Sequence, residues 1–286
     1  MADRTMLIAM AHPDDESFGM AGTIARYVAE GAAVHLICAT NGDVGTVDEA
    51  FMEGYATVAD RRLAELQCAA DALGFASVTT LGYRDSGMRG SPDNEHPDSL
   101  VSAPVDEVAG RIVQVIRETR PEVLITFDPF GGYGHPDHIA MHEAAVRAYR
   151  LSGDPDAYPQ QINNGLKPHQ PGRLYYQTFP HFFFKAAVAI MRLLGRDPSK
   201  FGRNNDIDLT EIADNTYPIH VRINYRPYKK VAARARDCHA SQLNPDPPFL
   251  QRLVQNLFSR PVDTFMQAEP PVENGRVRHT DLFHGG

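Results

Sequence analysis

Met6-Leu7-Ile8-Ala9-Met10-Ala11-His12-Pro13-Asp14-Asp15-Glu16 opens with a short apolar run and breaks abruptly into a polar, proline-bearing turn. Such a run, without polar alternation, is the pattern of a parallel strand covered on both faces. Behind the turn, Gly19 to Gly31 carries Ile24, Tyr27 and Val28 at helical spacing, and Gly31 ends the helix. The same order returns later: an apolar strand pattern at 122–127, then Gly134-His135-Pro136-Asp137-His138, then a helical pattern at 139–149. Both polar turns therefore fall at the carboxyl ends of strands.

Between and beyond these segments the periods keep alternating. Residues 34–39 and 77–81 read as strands, 55–73 and 105–118 as amphipathic helices, with Gly74 closing the first. Strands alternating with helices imply right-handed crossovers and a Rossmann-like, mostly parallel sheet flanked by helices: an α/β fold. In such sheets ligands bind outside the carboxyl ends of the strands, where both turns lie. The stretches 40–54, 82–104 and 151–172 are too long and irregular for simple connections, and the first two are expected to wall the site. After residue 172 the pattern thins: 173–179 and 217–223 read as strands, 228–240 as a helix, and the Pro-rich end after Arg260 as an arm packed on the surface. With no internal repeat or low-complexity linker, 1–286 is read as a single domain, with a metal-binding α/β core over 1–150 and a C-terminal extension over 173–286.

Composition narrows the function. A formal charge of −8, from 28 basic and 36 acidic residues, leaves no electrostatic footprint for nucleic acid or an anionic membrane. The most apolar segment, 179–194, is interrupted by His181, Lys185 and Arg192 and is too short to span a bilayer. Three cysteines are too few and too scattered for a disulfide framework, which points to a reducing, cytoplasmic setting. Cys238 reads as a buried helical residue.

The chemistry rests on the two turns. His12, Asp15 and His138 supply two imidazoles and one carboxylate, the set a catalytic zinc takes while leaving a position for water. His12 and Asp15 are three apart near a helix start, as are His135 and His138, so each pair shares a face. Asp14 is then a spare carboxylate beside the metal. Taken singly, a histidine before proline or an acidic helix start is ordinary capping chemistry, but two His-Pro-Asp turns on one parallel sheet are not explained by capping. Zn2+ is the expected ion. Iron(II) suits the same donors, and a non-haem iron oxygenase built on this facial triad is a rival activity, with a non-catalytic binding protein the rival outside enzymes.

Ala-His-Pro-Asp-Asp-Glu together with Gly-His-Pro-Asp-His resembles the PIG-L or LmbE-like zinc-dependent N-deacetylases over roughly residues 6–150, with an echo at His239-Ala240-Ser241-Gln242. The resemblance implies zinc on His12, Asp15 and His138, Asp14 as general base, and His135 polarising the reaction centre with Asp137 behind it. It implies sugar-binding positions at Arg62 and at Asp85 of Arg84-Asp85-Ser86-Gly87-Met88, and a substrate-contacting tyrosine at Tyr133. Arg84 to Met88 and Gly131 to Gly134 lean toward members acting on mycothiol precursors or mycothiol S-conjugates. One departure stands out: Thr46 occupies the place of a family glutamate. The implied reaction is removal of acetyl from an N-acetylglucosamine conjugate, a small-molecule substrate, giving acetate and a free amine. Phe182, Phe183 and Phe184 raise the expectation of an apolar aglycone contact, against the blander reading of a core or homo-oligomer helix.

Overall fold

The computed structural model describes residues 4–202, 204–243, 261–272 and 278–284. A seven-stranded sheet of order β3-β2-β1-β4-β5-β7-β6 organises the chain. Strands β1 (Thr5–Met10), β2 (Ala33–Thr40), β3 (Ser77–Tyr83), β4 (Val123–Phe127) and β5 (Arg173–Thr178) are parallel; β6 (Val221–Asn224) and β7 (Val262–Glu269) close one edge in antiparallel pairing. The apolar run that opens β1 is fully buried from Met6 to Met10 because helices cover both faces.

The helices follow their sequence signals closely. α1 (Asp15–Ala29) begins in the polar turn itself, with Asp15 and Glu16 in its first turn. α2 (Val58–Leu73) begins after Thr57, whose hydroxyl and Asp60 form a capping box, and Gly74 in left-handed conformation ends it. α3 (Val105–Thr119) buries Val108, Ile112, Val115 and Ile116. A four-residue turn, α4 (Gly131–Gly134), leads into α5 (Pro136–Leu151), and α6 (Pro159–Asn163) is one turn within the connection to β5. Proline suits a helix start, where its missing N–H costs nothing, and Pro136 is the first residue of α5. Pro13 instead stands two residues before α1.

The C-terminal part contains α7 (His181–Leu193), α8 (Leu209–Asp214) and α9 (Lys229–Cys238). Residues 262–269 correct the expected surface arm: they form β7, inserted between β5 and β6. The flanking prolines suggested an arm, but Phe265 pairs with Gln177 of β5 and Val221 of β6 and is fully buried. The cysteines are a second correction. Cys68 on α2 and Cys238 at the end of α9 form a disulfide across a sequence separation of 170, and only Cys38 is free, buried in β2. Among the described residues no helix is long and apolar enough to cross a membrane.

Candidate active site at the carboxyl ends of β1 and β4

Met6, Leu7 and Ile8 of β1 pair with Val123, Leu124 and Ile125 of β4, while β1's other neighbour is β2. The strand order thus reverses between β1 and β4, and the crevice outside their carboxyl ends is the topological switch point where doubly wound sheets bind ligands. The turn 11–15 leaves β1 into this crevice, and 128–138 leaves β4 into it. Gly131 fits the second turn closely: at φ 71° its added Cβ would stand 2.8 Å from the Cβ of His138.

Three donor groups converge there. His12 Nδ1 and His138 Nε2 are 3.1 Å apart, His12 Nδ1 and Asp15 Oδ2 3.6 Å, and His138 Nε2 and Asp15 Oδ1 3.3 Å. Ligands on a tetrahedral zinc, at bond lengths near 2.0–2.2 Å, are separated by roughly 3.3–3.5 Å, so the triangle has the size one ion requires. Tautomers agree. His138 Nδ1 donates to Gly131 O at 3.0 Å and His12 Nε2 donates to Asp137 Oδ2 at 3.2 Å, which leaves the facing ring nitrogens as bare lone pairs. In that tautomer the two facing lone pairs are a site for a cation. The surroundings favour positive charge at the same point: burial opposes charge on His12, yet Asp85, Asp137 and Asp15 raise its pKa well above the ordinary value, so that a proton occupies the place when no metal does. The donor set therefore fits a divalent ion.

The ring nitrogens of His12, His135 and His138 also lie within 4.8 Å of one another, as do single ligand atoms of His12, Asp85, His135 and Asp137. His135 is nonetheless a poor ligand. Its Nδ1 accepts the Asp137 backbone N–H at 3.1 Å, so the neutral ring carries its proton on Nε2 and is a donor. Burial, reinforced by His12 and His138, pushes its pKa well below the ordinary value and keeps it neutral.

Asp137 departs from expectation. Its carboxylate does not support the His135 ring; it accepts His12 Nε2–H, Ser86 N at 2.9 Å and the Ser86 hydroxyl. Arg62 departs too. It is 4% exposed, and its guanidinium donates to Asp14 Oδ2 at 2.9 Å, Pro13 O at 2.8 Å and Gly42 O at 3.2 Å. These bonds hold the turn and Gly42 rather than a sugar, and the buried Nε–H has no hydrogen-bond partner. A Cβ at Gly42 would sit 2.6 Å from that guanidinium, which explains glycine at this place.

Asp14 lies outside the donor triangle, at φ 148°, ψ −21°, a conformation rare for a residue with a side chain. Burial pushes its carboxyl up to about 6; Arg62 works against the rise and Asp15 with it. Asp85 accepts Gly87 N at 2.8 Å and faces His12 Nε2 at 3.6 Å. The ring of Tyr133 stands edge-on to His138 with centroids 4.9 Å apart. Glu16 and Ser86, given no role by the sequence, both join the site: Ser86 holds Asp137, and Glu16 bonds the Asp14 backbone. Their signal was present only as position inside the motifs.

A cavity of about 500 Å³ opens above these groups. His12, Asp14, Arg62, Asp85, Tyr133 and His135 line it together with the polar Thr46, Asn204, Asp206 and Gln242 and the apolar Phe18, Val44, Met88 and Ile207. Phe182, Phe183 and Phe184 do not line it, contrary to the expected aglycone contact. Phe182 is 77% exposed, and Phe184 packs on a separate apolar cluster of α7 and α8.

Fold and crevice together define a doubly wound α/β protein with a candidate metal centre at its switch point. The backbone resembles the solved N,N'-diacetylchitobiose deacetylase of Pyrococcus horikoshii, with a TM-score of 0.64 at 20% identity over 93% of this chain and 84% of that one. Residues 7–149 match the PIG-L family, described as GlcNAc-PI de-N-acetylase. The chain belongs to this family. It is 35% identical to a "1D-myo-inositol 2-acetamido-2-deoxy-alpha-D-glucopyranoside deacetylase" of Streptomyces avermitilis over 100% of this chain and 98% of that protein. A protein of the same name from Streptomyces griseus is 37% identical over 99% of this chain and 89% of its own length.

Proposed function

We propose that this protein is a metal-dependent deacetylase that hydrolyses the acetamide of an N-acetylglucosamine glycoside to acetate and a free amine. The observation that carries the reading is the division of labour around one cavity. Three donors face a common point, while a fourth group, Asp14, remains free of it and a fifth, His135, presents N–H. A zinc ion held by His12, Asp15 and His138 supplies Lewis acidity and an acidified water. Iron(II) suits the same donors.

Asp14 takes the proton of the attacking water and delivers it to the departing nitrogen, so one carboxylate serves both halves of the reaction. His135 donates Nε2–H to the carbonyl oxygen as charge builds on it, and the Tyr133 phenol is the second donor on that side. Loss of one such donor typically costs about 10²–10³ in rate. Asp85 offers a carboxylate oxygen to sugar hydroxyls. Arg62 acts from behind, holding Asp14. For the aglycone, the relatives' names give inositol, and Asn204, Asp206 and Gln242 in the cavity lining supply polar partners for a polyol.

The test is acetate release from N-acetylglucosaminyl polyols and from free N-acetylglucosamine by protein stripped with chelator and then reloaded with Zn2+ or, anaerobically, Fe2+. The expected result is activity that vanishes on stripping, returns on reloading, and is greater on the polyol glycoside. Full activity in stripped protein, or none from any N-acetylglucosaminide after reloading, rejects the proposal.

A further inference from the structure

Far along the chain from both metal motifs, His239 follows α9 directly, and the fold carries it beneath the first motif. Its side chain and that of Glu16 are both fully buried. His239 Nε2–H donates to Glu16 Oε1 at 2.8 Å. The other Glu16 oxygen accepts the backbone N–H of Asp14 at 3.1 Å, and the Ser17 hydroxyl donates to Oε1 at 2.6 Å. Three residues thus form a continuous chain from the C-terminal part of the protein to the backbone of Asp14. Meanwhile His239 Nδ1 is buried with no hydrogen-bond partner. Leaving a buried polar atom unmet costs about 1–3 kcal/mol. A packing role alone would be filled at less cost by an apolar side chain.

Asp14 needs what this chain provides. At φ 148° its backbone occupies a region that costs a non-glycine residue about 1–3 kcal/mol and persists only when its surroundings impose it. Arg62 constrains the side chain and the Pro13 carbonyl on one side. Glu16 constrains the N–H on the other. Glu16 is a buried carboxylate, and without a partner it would turn toward any available donor or take a proton.

We infer that His239 is a positioning residue for the hydrolysis: by anchoring Glu16 it fixes the backbone of Asp14 and so aims the Asp14 carboxylate. The inference rests on Asp14 acting as the general base. The two constraints on Asp14 are also tied to each other. Cys238, adjacent to His239, is bonded to Cys68 on α2, the helix that carries Arg62. Two positions on, Ser241 donates from its backbone N–H and its hydroxyl to Glu65 of α2, at 2.9 and 2.7 Å. α2 and the end of α9 thus act as one brace around the turn.

The test compares His239→Leu, His239→Gln and Asp14→Asn, each alone, with the His239→Leu/Asp14→Asn double variant. A displacement of a catalytic group by about 1 Å costs on the order of 10² in rate. His239→Leu should therefore lower kcat about 10- to 100-fold, with KM and metal content within about twofold, and His239→Gln, which keeps an N–H for Glu16, should recover most of it. In the Asp14→Asn background the leucine change should add no further loss, because nothing is left to aim. Additive losses, or a fall in metal content parallel to kcat, would overturn the inference and make His239 a structural residue. Wild-type kcat in His239→Leu beside an inactive Asp14→Asn rejects the positioning role alone; an active Asp14→Asn removes the base assignment and the inference with it. Should His239→Leu not fold, Glu16→Gln decides by the same measurements, with about tenfold loss expected and no loss overturning the proposal.

Discussion

Asp137→Asn separates two ways of assembling this centre. In the structure the Asp137 carboxylate takes the proton-bearing Nε2 of His12, while Ser86 N and the Ser86 hydroxyl hold the same carboxylate. One oxygen, Oδ2, accepts both His12 Nε2–H and Ser86 N–H, so an asparagine with its Oδ1 in that place keeps the volume and both bonds, and its Nδ2 faces the Ser86 hydroxyl. What it loses is the negative charge behind the imidazole, which makes the ring a more basic ligand. The atom affected is Nδ1, 3.1 Å from His138 Nε2 in the donor triangle. Changes to outer partners of this kind typically cost 10- to 100-fold in metal affinity, about 1.4–2.8 kcal/mol. The assay is competition with a chromophoric chelator for Zn2+, followed by kcat and KM at metal concentrations that saturate the variant. The expected outcome is affinity loss in that range, with much of the activity restored at saturating metal. Unchanged metal affinity with a large kcat defect would refute the reasoning and return Asp137 to the place behind His135 that the sequence suggested.

Other expectations follow from groups farther out. Arg62→Ala should lower kcat more than it raises KM, because the guanidinium holds Asp14, Pro13 and Gly42; a pure KM effect would restore the sugar-binding role. Asp263 on β7 accepts Thr23 N and Oγ1 on α1, and burial pushes its carboxyl up to about 7, Thr23 working against the rise. With the folded pKa above the unfolded one, its contribution falls as pH rises from about 4 to about 7, so Asp263→Asn should gain roughly 1–2 kcal/mol near pH 8, discounted for partial exposure, and nothing near pH 4 in urea denaturation. A gain independent of pH would be a packing effect instead. Cys68→Ser should cost roughly 2–4 kcal/mol, read as a fall of several degrees in Tm that added reductant does not deepen. Alkylation of thiols in freshly lysed cells reads the native state of the pair, and a cytoplasmic setting predicts that it is found reduced.

What the sequence disclosed and what it withheld divide along the range of the interactions. β1, α1, β4 and α5 are written locally: an apolar run, a polar turn, a periodic helix, each within about fifteen residues. His12, Asp15 and His138 sit in those turns, so the proposed donor set could be named together with the fold. β7 was not, because its hydrogen bonds go to strands whose nearest residues in sequence lie in β6, well before the intervening segment, and its flanking prolines look like an ending. The Cys68–Cys238 bridge was hidden for the same reason: α2 and α9 are adjacent only after the C-terminal part folds back on the parallel core. Roles proved harder to read than positions. Asp137 and Arg62 are charged residues at the site, and sequence places them there without saying which way the side chain turns.

The placing of those two residues bears on how the turn works. His12, Pro13, Asp14 and Asp15 are consecutive, yet the turn is held from several parts of the fold: His12 by Asp137 of α5, Pro13 and Asp14 by Arg62 of α2, Asp14 again by Glu16 with His239 behind it. Asp15 in turn accepts the backbone N–H of His12 at 2.7 Å, closing the turn on itself. The i,i+3 spacing lets His12 and Asp15 share a face with Asp14 off it, but spacing does not fix where the Asp14 carboxylate stands. The outer residues fix it by holding Asp14 in a conformation the chain would otherwise avoid, so the energy of placing the proposed base is drawn in part from helices outside the motif. Substitutions at Arg62, Glu16 or His239 should accordingly change rate before they change metal content, whereas substitutions at Asp137 or Ser86 should do the reverse.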